Sequence, residues 1–426
     1  MNENLELIEK KENYIHEKAK YCLNCKIKPC SSKGCPLNND IPAFIEQVLL
    51  KNYKEAYKIL TKTTILPAIC GRICPHSKQC QGSCVRGIKG EPVGIGEIES
   101  FVGDWALENN CKIDKYEKQD LQGKKIAVIG GGPAGLTVAA FLARRGANVT
   151  IYERYDYLGG LLVYGIPEFR LSKKIVKKSI EKILELGIEV KYNSILGENL
   201  NLQELKQEYD NIILAFGANV SSKMKIEGEN LKGVYGGNEL LEYNLHPEYE
   251  GKTVLVNGGG NVAIDVARTV KKLGANKVIV VYRRSRQEMP AEQKEIEDAI
   301  KDGVEFLFQN NILKIYGNGK DEVSGVELIK TELIKKEGET RLFPINIENS
   351  NYDIRADYVM MALGSHTDSF VKTLGLELTS SGHIKTNEFG QTSDEKIYAI
   401  GDVAKNISTV AYAARSGREI LKGGKV

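Results

Sequence analysis

The chain has no long apolar run, little net charge and no cysteine after residue 111. Among its 426 residues, no stretch approaches the roughly 18 consecutive apolar residues of a membrane span. The charged N-terminus, MNENLELIEKKENYIHEKAK, lacks the apolar core of a signal peptide. A net charge of +3 gives no reason to expect nucleic acid binding. These absences predict a cytoplasmic protein without a membrane or nucleic acid partner, whose thiols stay reduced unless they bind metal.

Proline is also scarce, with 11 residues against 42 glycines. Glycine without much proline suits a backbone that must approach ligands closely. A chain of this length is too long for one ordinary core, so two or three domains are expected.

All nine cysteines lie between residues 22 and 111. Their spacing is C-x2-C-x4-C-x4-C, a gap of 34 residues, and C-x3-C-x5-C-x3-C, followed by Cys111. Structural zinc usually uses two C-x2-C pairs, and only Cys22 and Cys25 form one. Disulfides are disfavoured in a reducing compartment. The pattern favours iron–sulfur ligation over zinc, and the polar stretch 112–124 predicts a linker into a second domain.

Two similar segments follow, KKIAVIGGGPAGLTVAAFLARRGANVTIYER from Lys124 and KTVLVNGGGNVAIDVARTVKKLGANKVIVVYRR from Lys252. Gly130 of the first copy corresponds to Gly258 of the second, at an offset of 128 residues. Each copy predicts a strand, a glycine turn, a helix and a second strand. Two such units predict two nucleotide-binding domains of the doubly wound type. The apolar stretches VEFLFQNNILKIYG and EVSGVELIKTEL that come next predict a β-meander.

The first copy has the glycine spacing of a dinucleotide site. Gly130 permits a tight turn, Gly132 lets the backbone approach a pyrophosphate, and Gly135 allows close packing of helix on strand. The helix N-terminus offers free amides to the phosphates. Glu153, at the end of the next strand, is placed to bind ribose hydroxyls. The alternative is a purely structural turn.

The second copy places Gly258, Gly260 and Ala263 in the same roles. Its strand ends in Tyr-Arg-Arg, so Arg283 is expected at the position that Glu153 holds in the first copy. A carboxylate would repel a 2′-phosphate, whereas guanidinium groups bind it through charge-assisted hydrogen bonds. The first site should therefore take a nucleotide with a free 2′-hydroxyl, and the second should prefer NADP over NAD. The alternative is that the arginines at 283, 284 and 286 form a solvated charge run.

The motifs GGGPAGL (130–136), GGL (159–161), AFG (215–217), GGGNVAIDVA (258–267) and IGD (400–402) together resemble the FAD-containing pyridine nucleotide reductases. The resemblance implies that Asp402 contacts the flavin ribityl chain, although it could instead be a loop or cap residue. It also implies that a helix beginning near Thr409 points its N-terminus at the flavin. Disulfide reductases of this kind place a cysteine pair beside the flavin. Because no cysteine follows Cys111, electrons must leave this flavin by another route.

The cysteine segment resembles the N-terminal domain of the glutamate synthase small subunit, in YCLNCKIKPC, GCPLNNDIPAFI, LPAICGRICPHSKQCQGSCVRG and GEPVGIGEIESFVGDWA. The same module occurs in dihydropyrimidine dehydrogenase and in flavin subunits of ferredoxin:NADP oxidoreductase and sulfide dehydrogenase. The resemblance implies two [4Fe–4S] clusters, one bound by Cys22, Cys25, Cys30 and Cys84, the other by Cys35, Cys74, Cys80 and Glu99. Cys70 would be a bystander, although a thiolate is chemically the better ligand. Glu99 could alternatively be a surface carboxylate.

The predicted fold class is α/β, with a helical iron–sulfur domain and two Rossmann-like domains, the second inserted in the first. The predicted boundaries are 1–115 for the cluster domain, 122–235 and 366–426 for the FAD domain, and 236–365 for the NAD(P) domain. The predicted nucleotide-binding residues are Gly130, Gly132, Pro133, Ala134, Gly135, Glu153, Gly160, Leu161, Gly217, Gly258, Gly260, Asn261, Val262, Ala263, Arg283, Arg284, Gly401, Asp402 and Thr409.

These features predict an oxidoreductase that takes hydride from NADPH onto FAD and releases single electrons through iron–sulfur clusters. The resemblance implies the small subunit of glutamate synthase, which feeds a large subunit that makes glutamate from glutamine and 2-oxoglutarate. The alternative enzyme is a flavin subunit of an NAD(P)H:ferredoxin or sulfide dehydrogenase-type oxidoreductase, with a ferredoxin-like acceptor. A non-catalytic flavin-binding assembly module is a further alternative from a different class.

Overall fold

The structure, a computed structural model, describes residues 2–338, 341–405 and 409–423, with side chains from Glu9 onward. The chain divides into two compact units. Unit 1 comprises Met1–Val163, Glu168–Ala218 and Ser369–Val426, and unit 2 comprises Tyr164–Pro167 and Asn219–Asp368. Residues 1 and 424–426, which fall in the predicted domain ranges, lie outside the described residues.

The first part of unit 1 is helical. Its helices are α1 (Asn2–Lys20), α2 (Ile41–Leu49), α3 (Tyr53–Thr61), α4 (Pro67–Ile73) and α5 (Ile95–Glu108). A π-helical turn (Cys30–Gly34) and two 3-10 turns (His76–Lys78 and Val85–Ile88) lie between them. The Asp40 side chain accepts a hydrogen bond from the Ala43 amide and so begins α2, with Pro42 in its first turn. Phe44, Leu60 and Ile98 have no exposed surface, so these helices share a packed core.

The rest of unit 1 is built on a parallel sheet. Its strands are β1 (Lys125–Ile129), β2 (Asn148–Tyr152), β3 (Glu189–Lys191), β4 (Asn211–Leu214) and β16 (Ile397–Ala399), in the order β16-β4-β1-β2-β3. The accompanying helices are α6 (Pro133–Arg144), α7 (Leu161–Tyr164), α8 (Lys173–Leu184), α9 (Leu202–Glu208) and α13 (Val410–Glu419). Because β16 pairs with β4 from the far end of the chain, the C-terminal segment completes a domain that begins before residue 130.

Unit 2 contains a second parallel sheet in the order β6-β14-β7-β8-β9. The strands of unit 2 as a whole are β5 (Val220–Ser221), β6 (Val234–Gly236), β7 (Thr253–Asn257), β8 (Lys277–Tyr282), β9 (Glu305–Phe308), β10 (Asn310–Gly317), β11 (Val323–Ile334), β12 (Phe343–Asn346), β13 (Tyr352–Arg355), β14 (Tyr358–Met361) and β15 (Ser365–His366). Its helices are α10 (Gly237–Tyr243), α11 (Asn261–Lys272) and α12 (Gln293–Lys301).

The predicted meander is only partly correct. Strands β10, β11, β12 and β13 do form an antiparallel sheet. The preceding β9 instead pairs in parallel with β8 and belongs to the nucleotide-binding sheet. Short apolar runs do not reveal which sheet they join, because that depends on the partner strand.

The predicted fold class is confirmed. A helical region precedes two Rossmann-type sheets, and the segment carrying the second sheet is inserted between strands of the first. No helix in the described ranges combines the length and apolarity that crossing a membrane requires.

Candidate functional site

The first glycine turn in unit 1 is closed on one side and open on the other. Gly130 has φ +103°, and a Cβ there would lie 2.7 Å from the Ala215 oxygen, so this position requires glycine. A Cβ at Gly135 would overlap the Gly130 carbonyl oxygen, which shows how closely α6 packs on the turn. A Cβ at Gly132 would meet nothing within 4 Å. The open side lies at the N-terminus of α6, where unpaired amides suit a pyrophosphate.

Glu153 directly follows β2 beside this turn and is only 4% exposed. Its Oε2 accepts a hydrogen bond from the Gly131 amide at 2.7 Å, and its Oε1 accepts one from the Tyr155 amide at 3.1 Å. Burial raises the pKa of the Glu153 carboxyl, while the two amides act in the opposite direction. The carboxylate is thus held in one orientation, as ribose binding would require.

Other predicted flavin-site residues surround the same turn. The Gly159 amide donates to the Gly131 oxygen at 2.8 Å, and a Cβ at Gly160 would lie 3.0 Å from the Gly132 Cα. A Cβ at Gly401 would lie 3.0 Å from the Ala134 Cβ. The structure therefore brings together segments that are far apart in sequence around one open backbone cradle, which fits FAD.

The remaining flavin-site predictions occupy the borders of this cradle. Pro133 is the first residue of α6, Leu161 is 38% exposed, and Gly217 has φ +78°. Asp402 is half-buried in the 3-10 turn Gly401–Val403. Thr409 caps α13, because its hydroxyl accepts a hydrogen bond from the Tyr412 amide at 3.3 Å.

The second glycine turn, in unit 2, has the same construction. A Cβ at Gly258 would overlap the Ala362 oxygen, and a Cβ at Gly260 would meet nothing within 4 Å. Ala263 is fully buried and Val262 is partly buried. The Asn261 Oδ1 accepts a hydrogen bond from the Glu292 amide at 3.1 Å, which fastens the following loop to the start of α11.

The strand register corrects one prediction about this second site. In the first copy Ile129 pairs with Tyr152, so Glu153 is the next residue. In the second copy Asn257 pairs with Val281, so the next residue is Tyr282 and not Arg283. The second copy has one additional residue between its glycine-alanine-asparagine turn and its strand, and this shifts the register by one. The placement of Arg283 at the position of Glu153 is therefore wrong.

Side-chain contacts agree with this register. A Cβ at Gly131 would lie 3.1 Å from the Glu153 Oε2, and a Cβ at Gly259 would overlap the Tyr282 ring. Hence Tyr282 faces the second turn as Glu153 faces the first. The Tyr282 hydroxyl donates to the Glu288 oxygen at 2.9 Å.

The arginines after β8 differ in their surroundings. Arg283 is exposed, whereas Arg284 is 6% exposed and its Nη1 has no hydrogen-bond partner in the described part of the chain. A buried guanidinium nitrogen without a partner is costly unless a ligand supplies an acceptor. Arg341 lies near enough to Tyr282 to act against the rise in the pKa of its hydroxyl, and it adds a cation that sequence reasoning missed. Arg341 is far from Tyr282 in the sequence, so no local sequence pattern indicated that it lies near this site.

The first cysteine group consists of Cys22, Cys25, Cys30 and Cys84. These four residues line one partly open cavity, and its other walls are mainly apolar. Burial raises the pKa of the Cys22 and Cys30 thiols. Four cysteines around one cavity of this kind fit a cluster whose irons would offset the cost of thiolate burial.

The second cysteine group consists of Cys35, Cys74 and Cys80 and lies near a buried carboxylate. Burial, followed by the charge of Glu99, raises the pKa of the Cys35 thiol to about 12 and holds the pKa of Cys80 well above its ordinary value. The Cys74 thiol donates a hydrogen bond to Cys70, and this bond, together with burial, raises the pKa of Cys74 in the same direction. Cluster irons bound to these three sulfurs would offset the cost of burying them as thiolates.

Glu99 is 5% exposed, which contradicts the alternative of a surface carboxylate. Burial holds the pKa of Glu99 well above its ordinary value. The Asn39 Nδ2 donates to Glu99 Oε1 at 3.3 Å, and the Asn39 Oδ1 accepts from the Thr63 hydroxyl at 2.6 Å. Cys70 is also buried, with its sulfur 3.7 Å from the Thr64 Oγ1. Glu99 and Cys70 are thus both near the second group.

Across the described ranges, no three His, Cys, Asp or Glu side chains converge closely enough to hold a single metal ion. Tetrahedral zinc needs four ligands within about 2.0–2.3 Å of one point. The first group instead surrounds a volume, which is the arrangement that a multi-iron cluster needs.

Comparison with known proteins identifies the family. Residues 124–417 match the family described as pyridine nucleotide-disulphide oxidoreductase. The chain belongs to this family. Residues 2–111 match the family described as dihydropyrimidine dehydrogenase domain II, 4Fe-4S cluster. The resemblance inferred from the motifs is confirmed for both parts of the chain.

Among the family's curated members, the chain is 34% identical to the glutamate synthase [NADPH] small chain of Escherichia coli, over 97% of this chain and 91% of that one. It is 35% identical to the NADPH-Fe(3+) oxidoreductase subunit beta of Geobacter sulfurreducens, over 84% of this chain and 54% of that one. The solved structure of Mycobacterium tuberculosis FprA in complex with NADPH superposes with a TM-score of 0.62 at 21% identity, over 70% of this chain and 83% of that one, which shows the same fold.

This oxidoreductase therefore uses FAD, NADP(H) and [4Fe–4S] iron–sulfur centres, as predicted. The number of clusters and the assignment of individual ligands stay predictions. So do the individual nucleotide contacts.

Proposed function

We propose that the chain oxidises NADPH and delivers single electrons to a large partner subunit that makes glutamate, as the glutamate synthase small chain. The main observation behind this proposal is that one chain contains an open dinucleotide cradle, a second cradle followed by arginines, and two adjacent cysteine groups. When bound, NADPH and FAD supply hydride transfer, and the clusters accept electrons one at a time.

Unit 1 would hold FAD through its own backbone. The α6 N-terminus beside Gly132 would bind the pyrophosphate, and Glu153 would accept hydrogen bonds from the ribose hydroxyls. The N-terminus of α13, capped by Thr409, would direct its partial positive charge towards the flavin. Glu153 would exclude a 2′-phosphate by charge repulsion.

Unit 2 would hold NADPH. The open Gly260 turn would take its pyrophosphate, and Arg284, with Arg283 beside it, would bind the 2′-phosphate. Tyr282 would lie against the adenosine in place of a carboxylate, so that nothing at that position repels the phosphate.

The contacts within unit 1 support an order for the two clusters. Arg418 lies on α13, and its Nη1 donates to the Thr63 oxygen at 3.1 Å. The Thr63 hydroxyl donates to Asn39, which in turn donates to Glu99 beside the second group. A Cβ at Gly417 would lie 2.6 Å from the Ala134 oxygen, so α13 packs on α6 beside the flavin cradle. Cys80 of the second group lies close to the turn that begins at Cys30 of the first, because a Cβ at Gly34 in that turn would lie 2.8 Å from the Cys80 Cα. Electrons would therefore pass from the flavin to the second group and then to the first.

The test is anaerobic. Purified chain should contain about eight irons, as expected for two four-iron clusters, and NADPH should bleach its flavin band. A large subunit should co-purify from the native organism and confer glutamine-dependent glutamate formation. Flavin that NADPH does not bleach would contradict the proposal. Reducing equivalents that reach only ferredoxin or a sulfur compound would favour the alternative enzyme. We also propose a cytoplasmic location, where the thiols would stay reduced.

A further inference from the structure

We propose that the surface around the first cysteine group docks an acidic electron-carrying protein face. This inference rests on the proposed function, since it names the charge of the partner that receives the electrons. In the proposed order of electron transfer through unit 1, the first cysteine group is the last site, so the partner would receive electrons there.

The centre of this surface is apolar. Leu23 and Val85 line the cavity of the first group and are 49% and 38% exposed. Ile27 and Ile88, on the same two segments, are 83% and 77% exposed. Exposed apolar side chains beside a redox centre are typical of a contact surface. We call the surface formed by segments 20–33 and 84–89 the cluster face.

The two segments are joined to each other. The Arg86 Nε donates to the Tyr21 oxygen at 2.9 Å, and the Arg86 guanidinium lies 4.2 Å from the centre of the Tyr21 ring. A Cβ at Gly90 would lie 3.6 Å from the Tyr21 hydroxyl. The apolar and basic residues of both segments therefore belong to one surface.

The rim of the cluster face is basic. Segment 20–33 contains four lysines and no carboxylate, and segment 84–89 adds Arg86 and Lys89. Lys20 pairs with Glu17 and Lys28 pairs with Asp40. Lys26 and Lys89 are exposed and, within the described ranges, have no carboxylate within ion-pair distance. Lys33 is likewise exposed without an ion pair in the part of the chain that the structure describes. Three uncompensated lysines beside an apolar centre favour an acidic partner and speed its approach.

A second copy of this chain would not fit this face. A two-fold contact places the same patch on both sides, so lysines would oppose lysines. An acidic face on an electron carrier satisfies both the apolar centre and the cations. Small, salt-sensitive contacts of this kind are usual in electron transfer.

The experiment compares K26E/K89E with the matched control K112E/K115E. The control changes net charge equally, and its exposed lysines follow the far end of α5, whose first residue Ile95 lines the cavity. The 14 residues of α5 span about 21 Å. Each variant is reduced with NADPH, and electron delivery is measured to an acidic [2Fe–2S] ferredoxin and to basic cytochrome c at rising ionic strength.

We expect K26E/K89E to slow ferredoxin reduction about tenfold at low salt, to lose its salt dependence and to speed cytochrome c reduction. The control should change either rate less than twofold. Equal ferredoxin rates in both variants, or equal slowing with both carriers, would overturn the docking proposal. Iron content and flavin bleaching are measured in parallel. If NADPH fails to bleach the wild-type flavin, the proposed function fails, whereas normal bleaching with unaffected ferredoxin rates refutes only the docking face.

Discussion

The two nucleotide cradles share a backbone and differ in the side chain that faces it. In unit 1 a buried carboxylate, Glu153, accepts two amide hydrogen bonds beside the turn. In unit 2 the aromatic ring of Tyr282 takes that position, and a buried arginine comes two residues later. One inserted residue therefore exchanges the side chain that faces the turn, while the turn itself is unchanged.

The strongest test of the comparison replaces the open glycine of each turn. Gly132→Leu should yield protein without flavin, and Gly260→Leu should yield protein with flavin that NADPH no longer bleaches. Each side chain would fill space that the fold leaves empty, at negative φ, so folding should be preserved. Flavin absorbance and thermal unfolding check this. Loss of flavin in Gly260→Leu would show that the cradles are wrongly assigned.

The fourth ligand of the second cluster is tested by Glu99→Ala and Cys70→Ala. We expect Glu99→Ala to lose or alter one of two cluster signals in electron paramagnetic resonance and to lower the iron content. Cys70→Ala should retain both signals. An unchanged second cluster in Glu99→Ala, with loss in Cys70→Ala, would assign the ligand to Cys70. Asn39→Ala should shift the second cluster's signal without removing it, because Asn39 only orients the carboxylate.

Coenzyme selectivity separates the arginines. Arg284→Ala should reduce kcat/KM for NADPH by about 10- to 100-fold, since a charge-assisted hydrogen bond contributes about 1.5–3 kcal/mol. The effect with NADH should be small. Arg283→Ala should have a smaller effect, because its side chain is exposed. Arg286→Ala is the matched control, because it removes a positive charge that lies further along the same run of arginines. Equal losses with NADH and NADPH would mean that Arg284 has only a structural role.

The smallest expected effect concerns the FAD-free protein. Burial raises the pKa of Glu153 above 4.5, so the carboxyl favours folding below pH 4.5 and loses that contribution as pH rises through its folded pKa. Glu153→Gln should therefore raise the unfolding midpoint of FAD-free protein by a few degrees at most, at neutral pH and not at pH 4. Thermal unfolding followed by circular dichroism measures this. A gain at both pH values would point to packing and not to charge.

Much of the site could be predicted from local patterns. The glycine turns and the helices after them depend on residues close in sequence, so spacing predicted them correctly. A helix beginning near Thr409 was implied by the resemblance, and α13 begins there with Thr409 as its cap. The grouping of the first four cysteines came from resemblance, and the structure places them around one cavity. The register at Tyr282 and the sheet that β9 joins were predicted wrongly, because both depend on strand pairing across the sheet.

By itself, the sequence determined which chemical groups are available. The thiols are confined to residues 22–111, two nucleotide-binding turns follow, and no cysteine after residue 111 could receive electrons. Only the tertiary structure decided which groups meet: Arg418 with Thr63, Asn39 with Glu99, and Tyr282 with Gly259. The physical reason is that turns and caps are stabilised by neighbours in sequence, whereas burial and charge depend on side chains brought together from distant segments.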